Sequence, residues 1–171
     1  MTVRVQSHGR RETALDKFNI EEITRPEQLP GVKAMFEEYW HSLGFSRETF
    51  GFGIELDGLP GEYTRPKGRL AMASLSGRAV GWVALRALDA DACEFKRLFV
   101  REEARGQAVA ARLLSWLIDE ARAEGYSRML ADTLPTMSAA LHLYDKFGFK
   151  RVGPYSANPT PGAVYLEMDL R

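Results

Sequence analysis

The sequence predicts an α/β fold in which helices pack on one mixed β-sheet. Three observations predict it. Apolar residues recur with a period of two in some segments and near 3.6 in others. The segments follow one another as strand, two helices, three strands, helix, strand, helix and two strands. The helical stretch 108–124 is long enough to connect parallel neighbours at 92–100 and 127–134, a crossover that needs a dozen or more residues.

Each element has its own signal. Residues 1–15, with three arginines and no apolar periodicity, read as an N-terminal tail, and 16–171 as a single domain. FNIEEI at 18–23 alternates and reads as a strand. Pro26 opens a helical stretch in which Val32, Met35, Phe36 and Tyr39 share a face up to about Gly44. Residues 46–56 read as a second helix or a lid-like segment, and the Pro/Gly-rich stretch 59–68 as a loop. RLAMASL and RAVGWVALRAL, joined by Ser76-Gly77, form a hairpin, followed by a strand at 92–100. In 108–124, Ala110, Leu113, Leu114, Leu117 and Ala121 line one face. A strand at 127–134 follows. The next helix, 137–147, ends at Gly148, a C′ glycine. GFKRVGPY starts a strand, a Pro/Gly loop runs through Pro161-Gly162, and AVYLEMDL closes the fold.

Composition narrows the function. At 171 residues, with 45% hydrophobic and 27% charged, the chain can build a sizeable core. Lys and Arg balance Asp and Glu at 23 each, which argues against nucleic acid or an anionic membrane as a bulk electrostatic partner. The lone Cys93, in an apolar run, is expected to be a buried strand residue in a reducing, cytoplasmic compartment. MTVRVQSHGRRET lacks the apolar core of a secretory signal, and no apolar run has the length of a membrane span. No His/Cys/Asp spacing suggests a metal site, and the ATP-loop pattern GxxxxGK[S/T] is absent.

Two motifs carry chemistry. Arg105-Gly106-Gln107-Ala108-Val109-Ala110 sits where a strand feeds a helix, and a helix N-terminus presents unpaired N–H groups to an anion. About thirty residues on, Met137, Ala140, Leu143, Tyr144, Gly148 and Phe149 form a second block. With these motifs the chain, from about residue 18 to its end, resembles the GNAT N-acetyltransferase superfamily, whose blocks read Gln/Arg-x-x-Gly-x-Gly/Ala and Asn-x-x-Ala-x-x-Leu-Tyr-x-x-x-Gly-Phe.

The resemblance implies a GNAT-like mixed, mostly antiparallel sheet of six to seven strands flanked by about four helices. It implies acetyl-CoA as co-substrate, with no metal, and a homodimer as a common assembly. Arg105, Gly106, Gln107, Ala108, Val109 and Ala110 would receive the pyrophosphate, while Arg112 is read as surface charge. The backbone of Leu98, Phe99 and Val100 would pair with the pantetheine arm. Glu94 matches a strand position where a general base is often found, and Tyr144 the tyrosine that faces the sulfur as acid. The alternatives are a structural ion pair of Glu94 with Lys96 or Arg97, and a Tyr144 ring that only packs on the sheet. Period-two alternation puts Glu94, Lys96 and Leu98 on one face and Cys93, Phe95, Arg97 and Phe99 on the other. Lys96 is a candidate to attract an acceptor carboxylate.

Two residues depart from the family pattern. Ala108 stands in place of glycine, and its loop is expected to survive if it has helical dihedrals. Met137 stands in place of asparagine and removes a hydrogen-bonding side chain. The activity implied is transfer of an acetyl group directly to the primary amine of a small molecule. The alternatives are a non-catalytic acyl-CoA-sensing module and a protein lysine or N-terminal acetyltransferase. Tyr39, Trp40, Phe50, Phe52, Tyr63 and Tyr155 lie in segments that line the acceptor pocket in that family, without an assigned role.

Overall fold

The structure is a computed structural model that describes residues 17–157 and 159–171, so the predicted tail lies outside the described residues. The strands are β1 (Phe18–Glu22), β2 (Arg69–Leu75), β3 (Arg78–Ala87), β4 (Ala92–Val100), β5 (Arg128–Thr133), β6 (Lys150–Val152) and β7 (Val164–Asp169). The helices are α1 (Leu29–Ser42), α2 (Phe52–Gly58), α3 (Val109–Glu124) and α4 (Ser138–Phe147). The strands form one sheet in the order β1-β2-β3-β4-β5-β7-β6. Among the described residues only the β4–β5 pair is parallel, and α3 supplies its crossover. The mixed, mostly antiparallel sheet with four helices agrees with the expected fold.

Local chemistry explains the turns. The β2–β3 hairpin closes through Ser76 (φ 49) and Gly77 (φ 80), both left-handed as a two-residue type I′ turn requires. Gly148 (φ 91) ends α4 in the expected C′ role. Segment 46–56 resolves into a 3-10 turn, Thr49–Gly51, running into the short helix α2.

The sheet separates two apolar clusters. Leu113, Leu114, Leu117 and Ala121 of α3, with Tyr144 of α4, pack against Val83, Leu85, Cys93, Phe95, Met129 and Leu166. Val32, Met35, Phe36 and Trp40 of α1, with Phe52 and Leu56 of α2, pack against Leu70, Trp82, Ala84 and Phe99. Gly81 lets α3 come close: a Cβ there would stand 2.7 Å from the Phe99 carbonyl oxygen and 3.2 Å from the Leu113 side chain.

Strand β4 breaks its own alternation. Ala84 faces Lys96 and Trp82 faces Phe99, so Val83 alone opposes both Arg97 and Leu98. This is a β-bulge, with Arg97 at φ 63 as its left-handed residue. The bulge corrects the face assignment made by strict alternation. Phe95 and Leu98 pack with the α3/α4 cluster, whereas Phe99 lies in the α1/α2 cluster.

Candidate active site

Strands β4 and β5 begin as neighbours and then part. Their ladder pairs Ala92 with Arg128, Cys93 with Met129 and Glu94 with Leu130, and stops there, although both strands run on. Beyond Glu94, the edge of β4 facing β5 is therefore not taken up by a ladder. Leu98, Phe99 and Val100 lie on this stretch. The bulge at Arg97 falls within it, as bulges often do beside functional sites.

A cavity of about 560 Å³ meets this opening. Its walls come from α1 (Tyr39, Trp40), α2 (Ile54, Glu55), the loop before β2 (Glu62, Tyr63), β3 (Arg86), β4 (Lys96, Arg97, Leu98), β5 (Asp132, Thr133) and α4 (Tyr144). Of the aromatic residues left unassigned, Tyr39, Trp40 and Tyr63 line it.

The charged side chains form one connected array. Arg97 donates to both Glu55 oxygens, at 3.2 and 2.6 Å, and stacks 5.0 Å from the Trp40 ring, which holds the left-handed arginine in place. Burial works to raise the Glu55 carboxyl, and the Arg97 guanidinium more than offsets it, so Glu55 titrates below the ordinary range. Glu94 is buried, at 2% exposure. Arg86 donates to one of its oxygens at 2.9 Å, and Tyr155 donates to the other at 2.7 Å. Lys96 Nζ lies 3.1 Å from that second oxygen and 2.9 Å from Asp132 Oδ1, so one ammonium bridges the two parting strands. Glu94 thus stands behind the cavity wall with both oxygens engaged. The charge of Lys96 is already matched by two carboxylates.

Tyr144 arrives from the opposite face. Its ring packs edge-on against Phe95 at 5.2 Å and near Phe149 at 5.9 Å, while the residue also lines the cavity. Its hydroxyl has no hydrogen-bond partner among the described residues. Burial pushes its proton affinity up, and Tyr39 and Asp132 add to that. Cys93 is buried and its thiol is pushed up to about 12 by burial, with Sγ 3.5 Å from the Arg128 carbonyl oxygen. It is a structural residue with no thiolate to offer as a nucleophile.

The loop before α3 has the backbone geometry of an anion cradle. Gly106 (φ 77) and Ala108 (φ 58) are both left-handed around Gln107, a pattern that turns successive N–H groups into one concavity. A Cβ built on Gly106 would meet nothing within 4 Å, so the space above it is open. Ala108 is the N-cap of α3 and makes no side-chain cap bond, and the first N–H groups of the helix point outward. The condition set on the sequence, helical dihedrals at Ala108, is not met, because its backbone is left-handed. The position asks for glycine, and alanine bears left-handed strain of about 1–2 kcal/mol. Replacing it should relieve that strain, less the entropy a new glycine adds to the unfolded chain. We expect Ala108→Gly to raise stability by about 0.5–1 kcal/mol, a midpoint rise of about 1–4 °C in calorimetry. A lower midpoint would contradict the strain argument.

Arg105 is exposed and its Nε lies 3.4 Å from the Val100 carbonyl oxygen, which folds the side chain over the end of β4. Arg112 is exposed and stacks 3.6 Å over the Phe18 ring, a surface role as expected. Met137 lines the cavity, and the Thr133 hydroxyl lies 3.5 Å from its sulfur.

The model of the acetyltransferase (GNAT) family matches residues 32–149. The chain belongs to this family. An uncharacterized N-acetyltransferase of Schizosaccharomyces pombe is 34% identical over 155 residues, covering 90% of this chain and 95% of the relative. A protein of Azospirillum brasilense named IAA acetyltransferase is 38% identical over 109 residues, 62% of this chain and 71% of that one. Among solved structures, an acetyltransferase from Streptococcus agalactiae superposes with a TM-score of 0.75 at 18% identity, covering 90% of this chain and 98% of that one. A Salmonella typhimurium structure solved with acetyl-CoA superposes with a TM-score of 0.65 at 19% identity, covering 91% and 95%. The enzyme is an acetyl-CoA-dependent N-acetyltransferase. The reading as a non-catalytic sensor is set aside.

Proposed function

We propose that this acetyltransferase moves the acetyl group directly to the primary amine of a small molecule held in the 560 Å³ cavity. The observation that carries the proposal is that this cavity meets the opening between β4 and β5, whose far end leads to the anion cradle of α3. A space of this size suits a small ligand.

The residues present fit acetyl-CoA. Gly106, Gln107, Ala108, Val109 and Ala110 offer N–H groups to a pyrophosphate, with Arg105 beside them as a charge-assisted donor. Leu98, Phe99 and Val100 offer backbone at the unladdered edge for an extended arm. When bound, acetyl-CoA supplies an acetyl group activated as a thioester. Tyr144, protonated across neutral pH, donates its hydroxyl hydrogen to the sulfur as it leaves. The raised thiol of Cys93 favours direct transfer over an acyl-enzyme.

The test is release of free thiol from acetyl-CoA on addition of small primary amines, against lysine peptides and folded proteins. We expect turnover with one or more small amines and little with proteins. Turnover confined to protein lysines or N-termini would replace this reading with the protein-acetylating one.

A further inference from the structure

Among the described residues, three carboxylates and three cations line the cavity, and a fourth carboxylate, Glu94, stands behind its wall and joins their ion-pair network. Arg86 pairs with Glu62 and Glu94, Lys96 with Glu94 and Asp132, and Arg97 with Glu55. Every cation is matched and one negative charge is left over. A substrate carboxylate would find no unpaired cation, whereas an ammonium would complete the balance. Lys96 is therefore not the receiver of an acceptor carboxylate that its position in the sequence suggested.

The carboxylates differ in what they have left to give. Glu94 is buried with both oxygens bonded. Glu55 takes Arg97 on both oxygens and the Tyr63 hydroxyl on one. Glu62 is at the rim, with a side chain 71% exposed. Asp132 differs from all three. Lys96 occupies its Oδ1, and Oδ2 has no hydrogen-bond partner among the described residues. Its side chain is 23% exposed and it lines the cavity.

Its position in the fold adds to this. Asp132 lies two residues past Leu130, the last residue of β5 paired with β4, so it stands where the strands part. Tyr144 lines the same cavity and feels the Asp132 charge. Beyond them the walls are aromatic and aliphatic: Tyr39, Trp40, Phe45 and Leu59.

We propose that Asp132 receives the acceptor's ammonium and takes its proton, and that the acceptor is a monocationic amine on an apolar body without a carboxylate. This rests on the small-molecule reading above. The ammonium passes one proton to Asp132 and on to solvent. The neutral nitrogen bonds the acetyl carbon, the C–S bond breaks, and the nitrogen loses a second proton by way of Asp132. The departing thiolate gains one proton from Tyr144, which solvent restores, so one proton is released per turnover. Glu94 is a positioning residue that holds Lys96, and Lys96 holds Asp132.

The test compares 2-phenylethylamine with phenylalanine, which share a body and differ by a carboxylate, in the wild type, Asp132→Asn and Asp132→Glu. Thiol release gives kcat and KM, and the acetyl-CoA melting shift is read on each variant. We expect kcat/KM at least about tenfold higher for the amine than for the amino acid. Asp132→Asn should lower kcat about 10²–10⁴-fold, with the melting shift kept and with part of the rate restored in Asp132→Glu. Full turnover by Asp132→Asn, or loss of its acetyl-CoA shift, would overturn the role of Asp132. Preference for phenylalanine, or turnover of neither compound by a wild type that still binds acetyl-CoA, would overturn the acceptor class. A wild type that turns over only proteins would instead defeat the reading beneath it.

Discussion

Tyr144→Phe should lose about 10²–10³-fold in kcat and almost nothing in stability. The hydroxyl has no partner among the described residues, so deleting it breaks no internal bond. The ring keeps its contacts with Phe95 and Phe149. What disappears is the hydrogen that Tyr144 would lend to the leaving sulfur, a general-acid contribution of roughly that size. The measurement is steady-state thiol release with both substrates saturating, paired with a melting curve. The pH dependence has a definite sign. Burial raises the proton affinity of Tyr144 above its ordinary value of about 10. The acid therefore stays protonated across the working range, and its ionisation should produce no alkaline fall in rate below about pH 10. Full turnover in Tyr144→Phe would remove it from the chemistry and leave it as a packing residue.

Glu94→Gln should show the reverse pattern, a large loss of stability and a small loss of rate. The substitution removes a buried carboxylate from Arg86 and Lys96. Each cation keeps a second acidic neighbour, Glu62 for Arg86 and Asp132 for Lys96, so the penalty falls below that of a fully orphaned buried charge. About 2–3 kcal/mol is expected, or a midpoint drop of roughly 5–10 °C in calorimetry. At a temperature where the variant is folded, kcat should fall less than about tenfold. An unchanged midpoint with a collapse of kcat would give the base role to Glu94 after all, the role its strand position suggested.

The fold was legible because its signals are local. Ser76-Gly77 needs no tertiary context to turn a hairpin, nor does Gly148 to end a helix. The motif at 105–110 marked the cradle for the same reason, since a strand, a glycine and a helix start are adjacent in sequence. Three features were hidden. Nothing in EFKRLFV announces that Arg97 adopts a left-handed conformation, because its partners Glu55 and Trp40 lie on other elements. Alternation read through the bulge therefore sent Phe99 to the wrong cluster. Ala108 looked compatible with a helix because alanine favours helices, and only the turn geometry shows that the cap needs positive φ. Asp132 drew no attention in its strand. Its one signal was a lone charge in the otherwise uncharged MLADTL, and it acquires meaning only where β4 and β5 separate. The ion-pair alternative for Glu94 with Lys96 was readable from their spacing. Its other partners, Arg86 and Tyr155, lie 8 and 61 residues away and were not.

The proposed activity depends on the cradle at the N-terminus of α3 and the opening between β4 and β5 seating acetyl-CoA together. Thermal unfolding of the wild type and of Arg105→Glu, each with acetyl-CoA at about a hundred times its Kd for the wild type, tests it most directly. Binding at that level adds about 2.7 kcal/mol, which for a chain of this size is a midpoint rise of roughly 5–10 °C. That rise is expected in the wild type and a much smaller one in Arg105→Glu, whose own midpoint without ligand should barely move because the side chain is exposed. No rise in the wild type, or an equal rise in the variant, would contradict it.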